Sequence, residues 1–140
     1  MDGLEIRPFA DGDEAALITL WQGAFPDRRP WSTPAAYLAR KRRTQGELLL
    51  VGIVDARLVG AVAAGYDGVR GWLYHLAVDP AVRRRGFGAS LVGAAERRLA
   101  ALGCPKVNLQ VMPHNDAVVS FYERLGYAVE PRISMGKALG

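Results

Sequence analysis

A chain of 140 residues is close to the usual size of one domain, long enough for one core without disulfide or metal staples. Half of its residues are hydrophobic and 23% are charged, the ordinary mix of a globular protein. The single cysteine, Cys104, excludes an internal disulfide, and the absence of any run of about 18 apolar residues excludes a membrane-spanning helix.

The elements follow in order. Leu4 to Phe9 alternates apolar and polar, which predicts a first strand. Asp13 is placed to cap a helix running to about Ala24, with Leu17, Leu20, Trp21 and Ala24 on one face. Phe25 to Ser32, with Pro26 and Pro30, predicts a loop. Thr33-Pro34 then starts a second helix that ends in Arg40-Lys41-Arg42-Arg43, where positive charge complements the carbonyl end of the helix dipole. Glu47 to Val54 and Leu58 to Tyr66 read as strands joined by a hairpin at Asp55-Ala56-Arg57. Asp67-Gly68 turns the chain into a fourth strand, Trp72 to Val78, and three strands so closely connected should pair antiparallel.

After Asp79-Pro80 the period changes. Leu91, Val92, Ala95, Leu99 and Leu102 recur at helical spacing, and Gly103 stops that helix. Lys106 to Val111 predicts a fifth strand and Asn115 to Leu125 a last helix ended by Gly126. Tyr127 to Glu130 and Ile133 to Leu139 predict two final strands. The order β-α-α-β-β-β-α-β-α-β-β, without a repeat or linker, predicts one mixed α/β domain over residues 1–140.

The net charge of +4 suits an anionic partner. The arginines fall in separate clusters, not in one stripe, and exposed aromatics do not interleave with them, so no nucleic-acid partner is expected. The informative cluster lies in Leu76-Ala77-Val78-Asp79-Pro80-Ala81-Val82-Arg83-Arg84-Arg85-Gly86-Phe87-Gly88-Ala89, where a strand enters a basic loop with two glycines that opens a helix. The first turn of a helix has N–H groups without internal partners and carries the positive end of the dipole, so it attracts anions. Gly86 and Gly88 remove Cβ atoms that would hold a phosphate off, and Arg83, Arg84 and Arg85 add charge and bidentate contacts. A pyrophosphate fits such a loop. A dinucleotide-binding loop would need a third glycine where Leu91 stands, and the Gly-Lys-Ser/Thr triplet of a P-loop does not occur. His75, His114 and Cys104 are isolated, so no metal site is expected.

Arg83-x-x-Gly86-x-Gly88 resembles the acyl-CoA loop of the GNAT N-acetyltransferase superfamily, and Leu76-Ala77-Val78-Asp79-Pro80 is similar to the strand end leading into it. Asn115-Asp116-Ala117 through Phe121-Tyr122-Glu123-Arg124-Leu125-Gly126-Tyr127 resembles a second segment of that family, in the right order. Arg29-Pro30-Trp31, Gly65-Tyr66-Asp67-Gly68 and Gly103-Cys104-Pro105-Lys106 are similar to the bacterial YpeA-type acetyltransferases. The resemblance implies a central, mostly antiparallel twisted sheet flanked by about four helices. It also implies acetyl-CoA as cosubstrate, with its pyrophosphate on the N–H groups of Arg85, Gly86, Phe87, Gly88 and Ala89. The pantetheine arm is implied along the strand edge at Leu76, Ala77 and Val78, with a backbone N–H near Leu76 polarising the thioester carbonyl. Asn115 is implied to contact the cofactor and Tyr122 to protonate the departing sulfur.

The implied reaction moves an acetyl group to a primary amine, of a small molecule or a protein, by direct attack in a ternary complex. A free lysine-like amine has a pKa of about 10.4, so a base must take its proton. Residues 69–78 hold no carboxylate. His75 has a suitable unperturbed pKa of about 6.5; strand alternation puts Tyr74 on the opposite face from it, and Glu47 and Asp67 are more distant options through water. Arg28-Arg29-Pro30-Trp31 and the second helix are placed to cover the acceptor side. The alternative reading is a non-catalytic acyl-CoA sensor, supported by the missing carboxylate. The start Met1-Asp2-Gly3-Leu4-Glu5 lacks a signal-peptide layout, so a cytoplasmic location without membrane attachment is expected. The acceptor and the oligomeric state, including a homodimer, stay open.

Overall fold

A computed structural model describes residues 3–25 and 30–140. The chain forms two compact units, Met1–Leu109 and Gln110–Gly140. The first holds a five-stranded sheet in the order β1(Glu5–Pro8), β2(Leu49–Val54), β3(Arg57–Tyr66), β4(Gly71–Val78), β5(Val107–Asn108). β1 to β4 pair antiparallel in sequence and β5 adds parallel to β4. The helices of this unit are α1(Glu14–Ala24), α2(Pro34–Arg43) and α3(Phe87–Ala101).

Alternation along the strands gives each helix layer its own face. Leu49, Val51, Ala61, Ala63 and Ala77 pack with Leu17 and Trp21 of α1 and Leu38 of α2. On the other face the strands carry glycine where α3 comes close. A Cβ on Gly60 would lie 2.8 Å from Leu91 Cδ1 and 3.2 Å from the Ala77 carbonyl oxygen. A Cβ on Gly71 would lie 2.8 Å from the sulfur of Cys104, whose thiol donates to the Lys106 carbonyl at 3.3 Å. Cys104 is therefore a packing residue beside β4.

Thr33 caps α2 as its sequence predicts, its hydroxyl accepting from the Ala36 N–H at 3.2 Å. Asp13 does not cap α1. Its carboxylate accepts from the Ala10 N–H at 2.8 Å and pairs with Arg7 at 2.7 Å. A charge-assisted partner on β1 outcompetes the helix end, and Arg7 holds the Asp13 carboxyl below the usual carboxylate range. Glu47 belongs to a 3-10 turn, Gly46–Leu48, that precedes β2.

The β2–β3 hairpin turns through Asp55 and Ala56 with φ of 49° and 64°. Positive φ at both central residues matches the right-handed strand twist, but alanine bears a steric penalty there. Ala56→Gly should raise stability by about 0.5–1 kcal/mol, read as a higher urea midpoint at unchanged slope.

The second unit contains α4(Asp116–Arg124), ended by Gly126 at φ 97°. Two expectations about the late strands fail. β5 is two residues, not Lys106 to Val111, and no strand forms over Tyr127–Glu130 or Ile133–Leu139. Ile133, Met135 and Leu139 stand about nine-tenths exposed, so their alternation buries no face. Pro131 removes a ladder donor between the two stretches.

Candidate active site

The end of β4 is pinned at Asp79. Its N–H donates to the Val59 carbonyl at 2.7 Å, and its carboxylate accepts from the Ala81 N–H at 2.9 Å and faces Arg57 at 3.4 Å. The loop beyond passes through two left-handed residues, Arg84 at φ 69° and Gly86 at φ 78°. Glycine adopts this conformation freely, whereas Arg84 carries a strain of order 1 kcal/mol. Phe87, 2% exposed, packs with Val59 and Val82 and fixes the start of α3. No side chain caps that start. The N–H groups of its first turn have no acceptor within the helix and carry the positive end of the dipole. Arg83, Arg84 and Arg85 are exposed around them. The basic loop of residues 83–86 therefore ends at a helix start that no side chain caps.

β4 and β5 pair only through Gly71–Val107 and Trp72–Asn108. Beyond Trp72, the edge of β4 through Leu76, Ala77 and Val78 has no strand beside it among the described residues. A 3-10 turn, Pro80–Val82, and the basic loop connect it to the α3 start.

In the same stretch β4 bulges. Ala61 pairs with Ala77 and Ala63 with Tyr74, so His75 and Leu76 together oppose the single Val62. His75 takes φ 54°, a rare conformation for a non-glycine strand residue. This corrects the expectation from alternation. Tyr74 lies opposite Ala63, which faces α1 and α2, and His75 packs on residues of the same helices, so both project to that side. The extra residue resets the period-2 pattern.

His75 sits among Tyr37, Phe25 and Trp21 at centroid distances of 4.3, 4.9 and 5.4 Å. Its carbonyl accepts from the Trp21 indole N–H at 3.0 Å. Its Nδ1 is buried without a hydrogen-bond partner, and burial lowers its pKa, which favours the neutral imidazole. Nothing in local spacing marks Trp21, Phe25 and Tyr37 as companions of His75; Trp21 lies 54 residues earlier.

Of the other base options, Asp67 is engaged by backbone donors and Glu47 lies at a separate surface pocket. The Asp67 carboxylate accepts from the N–H groups of Val69 and Arg70 at 2.8 and 2.9 Å, which holds it below its usual range. Glu47 lines a shallow pocket of about 240 Å³ with Phe9, Asp11, Arg42 and Gly46. The basic end of α2 is structural. Arg40 donates to the Trp31 carbonyl and Lys41 to the Ala64 carbonyl, each at 2.5 Å, and Arg42 pairs with Asp11 and Glu14. Gln45 exchanges two 2.8 Å bonds with the backbone of Tyr66, extending the same brace along β3. On the suggested acceptor side Trp31 is 51% exposed, while Arg28 and Arg29 lie outside the described residues.

Asn115 and Tyr122 belong to the second unit. Asn115 is the residue before α4, exposed, and its side chain makes no capping hydrogen bond. Tyr122 is 8% exposed, with Phe121 and Tyr127 at centroid distances of 5.0 and 5.5 Å. Burial pushes its phenol up to about 12, which keeps the proton on it at neutral pH.

The Acetyltransferase (GNAT) family pattern matches residues 15–127. The chain belongs to that family. An acetyltransferase of Yersinia enterocolitica is 43% identical over 136 residues, 97% of this chain and 96% of the relative. Among solved structures, Ard1 from Thermoplasma volcanium superposes with a TM-score of 0.82 at 25% identity, over 91% of this chain and 84% of that one. Aminoglycoside N-acetyltransferase AAC(6')-Iy, solved in complex with CoA, superposes at 0.79 with 20% identity, over 96% and 94%. As a GNAT protein the chain is an acetyl-CoA-dependent N-acetyltransferase, an enzyme that brings its cosubstrate together with an acceptor. Among the described residues no helix is long and apolar enough to cross a membrane, and no group of three or more His, Cys, Asp or Glu could hold a metal.

Proposed function

We propose that this enzyme acetylates a primary amine by direct attack within a ternary complex. One observation carries the placement of the cofactor: an uncapped helix start ringed by Arg83, Arg84 and Arg85 adjoins a strand edge that β5 leaves unpaired. The N–H groups of Arg85, Gly86, Phe87, Gly88 and Ala89 hold the pyrophosphate. The β4 edge at Leu76, Ala77 and Val78 pairs with the amide-bearing pantetheine arm, much as a strand would. Acetyl-CoA supplies the acetyl group as a thioester. The Leu76 N–H donates to the thioester carbonyl, where negative charge grows. Asn115 contacts the cofactor with the carboxamide that capping leaves unused. Tyr122 gives its proton to the leaving sulfur. The family match runs across both units, which supports their working as one domain over residues 1–140, and we place the enzyme in the cytoplasm.

The first test is a thermal shift with acetyl-CoA, CoA, ATP and NAD. A ligand at about 100 times its Kd stabilises by ~2.7 kcal/mol, or roughly 5–10 °C for a domain of this size. A shift with both CoA species and none with NAD is expected. No shift with either would remove the assignment of the loop.

For the proton acceptor we propose His75, on the observation of its buried, unpartnered Nδ1. A base works in its neutral form. Because burial lowers this pKa, kcat/KM should stay level at neutral pH and decline only as pH falls through a value below 6.5. His75→Asn, an exchange that tolerates the left-handed backbone, should lower the plateau and abolish that limb. An unchanged limb in the variant would reduce His75 to a packing residue.

A further inference from the structure

The proposed donor at Leu76 belongs to the same peptide group as the His75 carbonyl. A trans peptide is a rigid plane in which C=O and N–H point in opposite directions, so fixing one end aims the other. The His75 end is fixed by a group from another part of the fold: the Trp21 indole N–H donates to the His75 carbonyl oxygen at 3.0 Å. Trp21 is 1% exposed in the core between α1 and the sheet, so its N–H has little freedom to turn elsewhere. His75, its ring packed among three others, takes φ 54° at the point where the β3–β4 register shifts. A hydrogen bond accepted at the carbonyl also polarises the peptide and strengthens its N–H as a donor.

We infer that Trp21 is a positioning residue for acetyl transfer, its indole N–H holding the His75–Leu76 peptide so that the Leu76 N–H is aimed at the thioester carbonyl. The inference rests on the proposed role of Leu76. It differs from a packing role because it requires the N–H, not the ring.

The decisive variant replaces Trp21 by benzothienylalanine, which keeps the bicyclic shape and exchanges the N–H for sulfur; Trp21→Phe is the genetically encoded companion. The expected result is a fall in kcat of about tenfold or more, short of the roughly 10²–10³ lost when a transition-state donor is removed outright, with the Kd of CoA and the KM of acetyl-CoA within twofold. Leu17→Ala, on the same face of α1, calibrates what destabilisation alone does. In NMR spectra the His75 carbonyl carbon should shift in the ligand-free variant. In the wild type the Leu76 amide proton should move downfield when CoA is replaced by acetyl-CoA, and it should move less in the variant.

An ester in place of the Leu76 amide, introduced as the α-hydroxy acid, separates the two levels of the argument. If the ester leaves kcat unchanged, the Leu76 donor is wrong and the inference falls with it. If the ester lowers kcat but benzothienylalanine does not, Leu76 stands and the role of Trp21 is overturned. A decline with benzothienylalanine no greater than Leu17→Ala produces at equal loss of Tm also overturns it. Support requires both single variants to be slow and the double variant to be no slower than the ester alone.

Discussion

Replacing Tyr122 by phenylalanine is expected to lower kcat by about 10²–10⁴ while leaving CoA affinity and folding nearly unchanged. The substitution removes one hydroxyl from a side chain that is 8% exposed and keeps the ring contacts with Phe121 and Tyr127. The phenol, pushed up to about 12, stays protonated across the working range, as a proton donor must. Single-turnover rates with acetyl-CoA and a panel of primary amines provide the measurement. A variant as fast as the wild type would assign the proton to another donor. A wild type that binds CoA yet transfers acetyl to none of a broad panel would mean that the panel lacks the acceptor chemistry.

The second large effect concerns Gly86. At φ 78° a valine, branched at Cβ, is strained at the residue that opens α3. Gly86→Val should abolish measurable acetyl-CoA binding and lower Tm by several degrees. Gly86→Asn separates the causes, because asparagine tolerates the left-handed region while still adding a side chain. That variant should fold with near-native Tm and lose affinity by about 10–100-fold, the worth of one charge-assisted hydrogen bond. Calorimetric titration with CoA reads both. Native affinity in folded Gly86→Asn would move the pyrophosphate away from this loop.

What the sequence revealed and what it hid follow from the range of the interactions. Thr33-Pro34, the Asp67-Gly68 turn and the basic loop into α3 were legible because their signals lie within a few residues of their effects. The antiparallel order β2-β3-β4 was legible because short connections leave little choice. The bulge was not. Reading β4 by alternation assumes a regular pleat, and one left-handed residue at His75 undoes that assumption for Tyr74 and His75 together. The bulged carbonyl of His75 is met by an indole 54 residues earlier, and no local pattern carries that information. Asp13 shows a different limit, since the partners that occupy its carboxylate, Arg7 and Ala10, lie within six residues and compete locally with the cap. The late strands failed differently. Alternation at Ile133 to Leu139 is a necessary sign of a strand, but a strand also needs a face to cover.

The unpaired run of β4 has a consequence for handling and for life in a crowded cell. A free strand edge is a template for any other extended chain, and proteins normally blunt such edges with charge or proline. From Leu73 to Val78 this one offers neither. On the proposed placement, a pantetheine arm lying on it would act as a removable border strand. Cofactor supply would then govern colloidal behaviour as well as turnover: the protein stripped of CoA is expected to self-associate on concentration and added CoA to keep it dispersed, which light scattering reads.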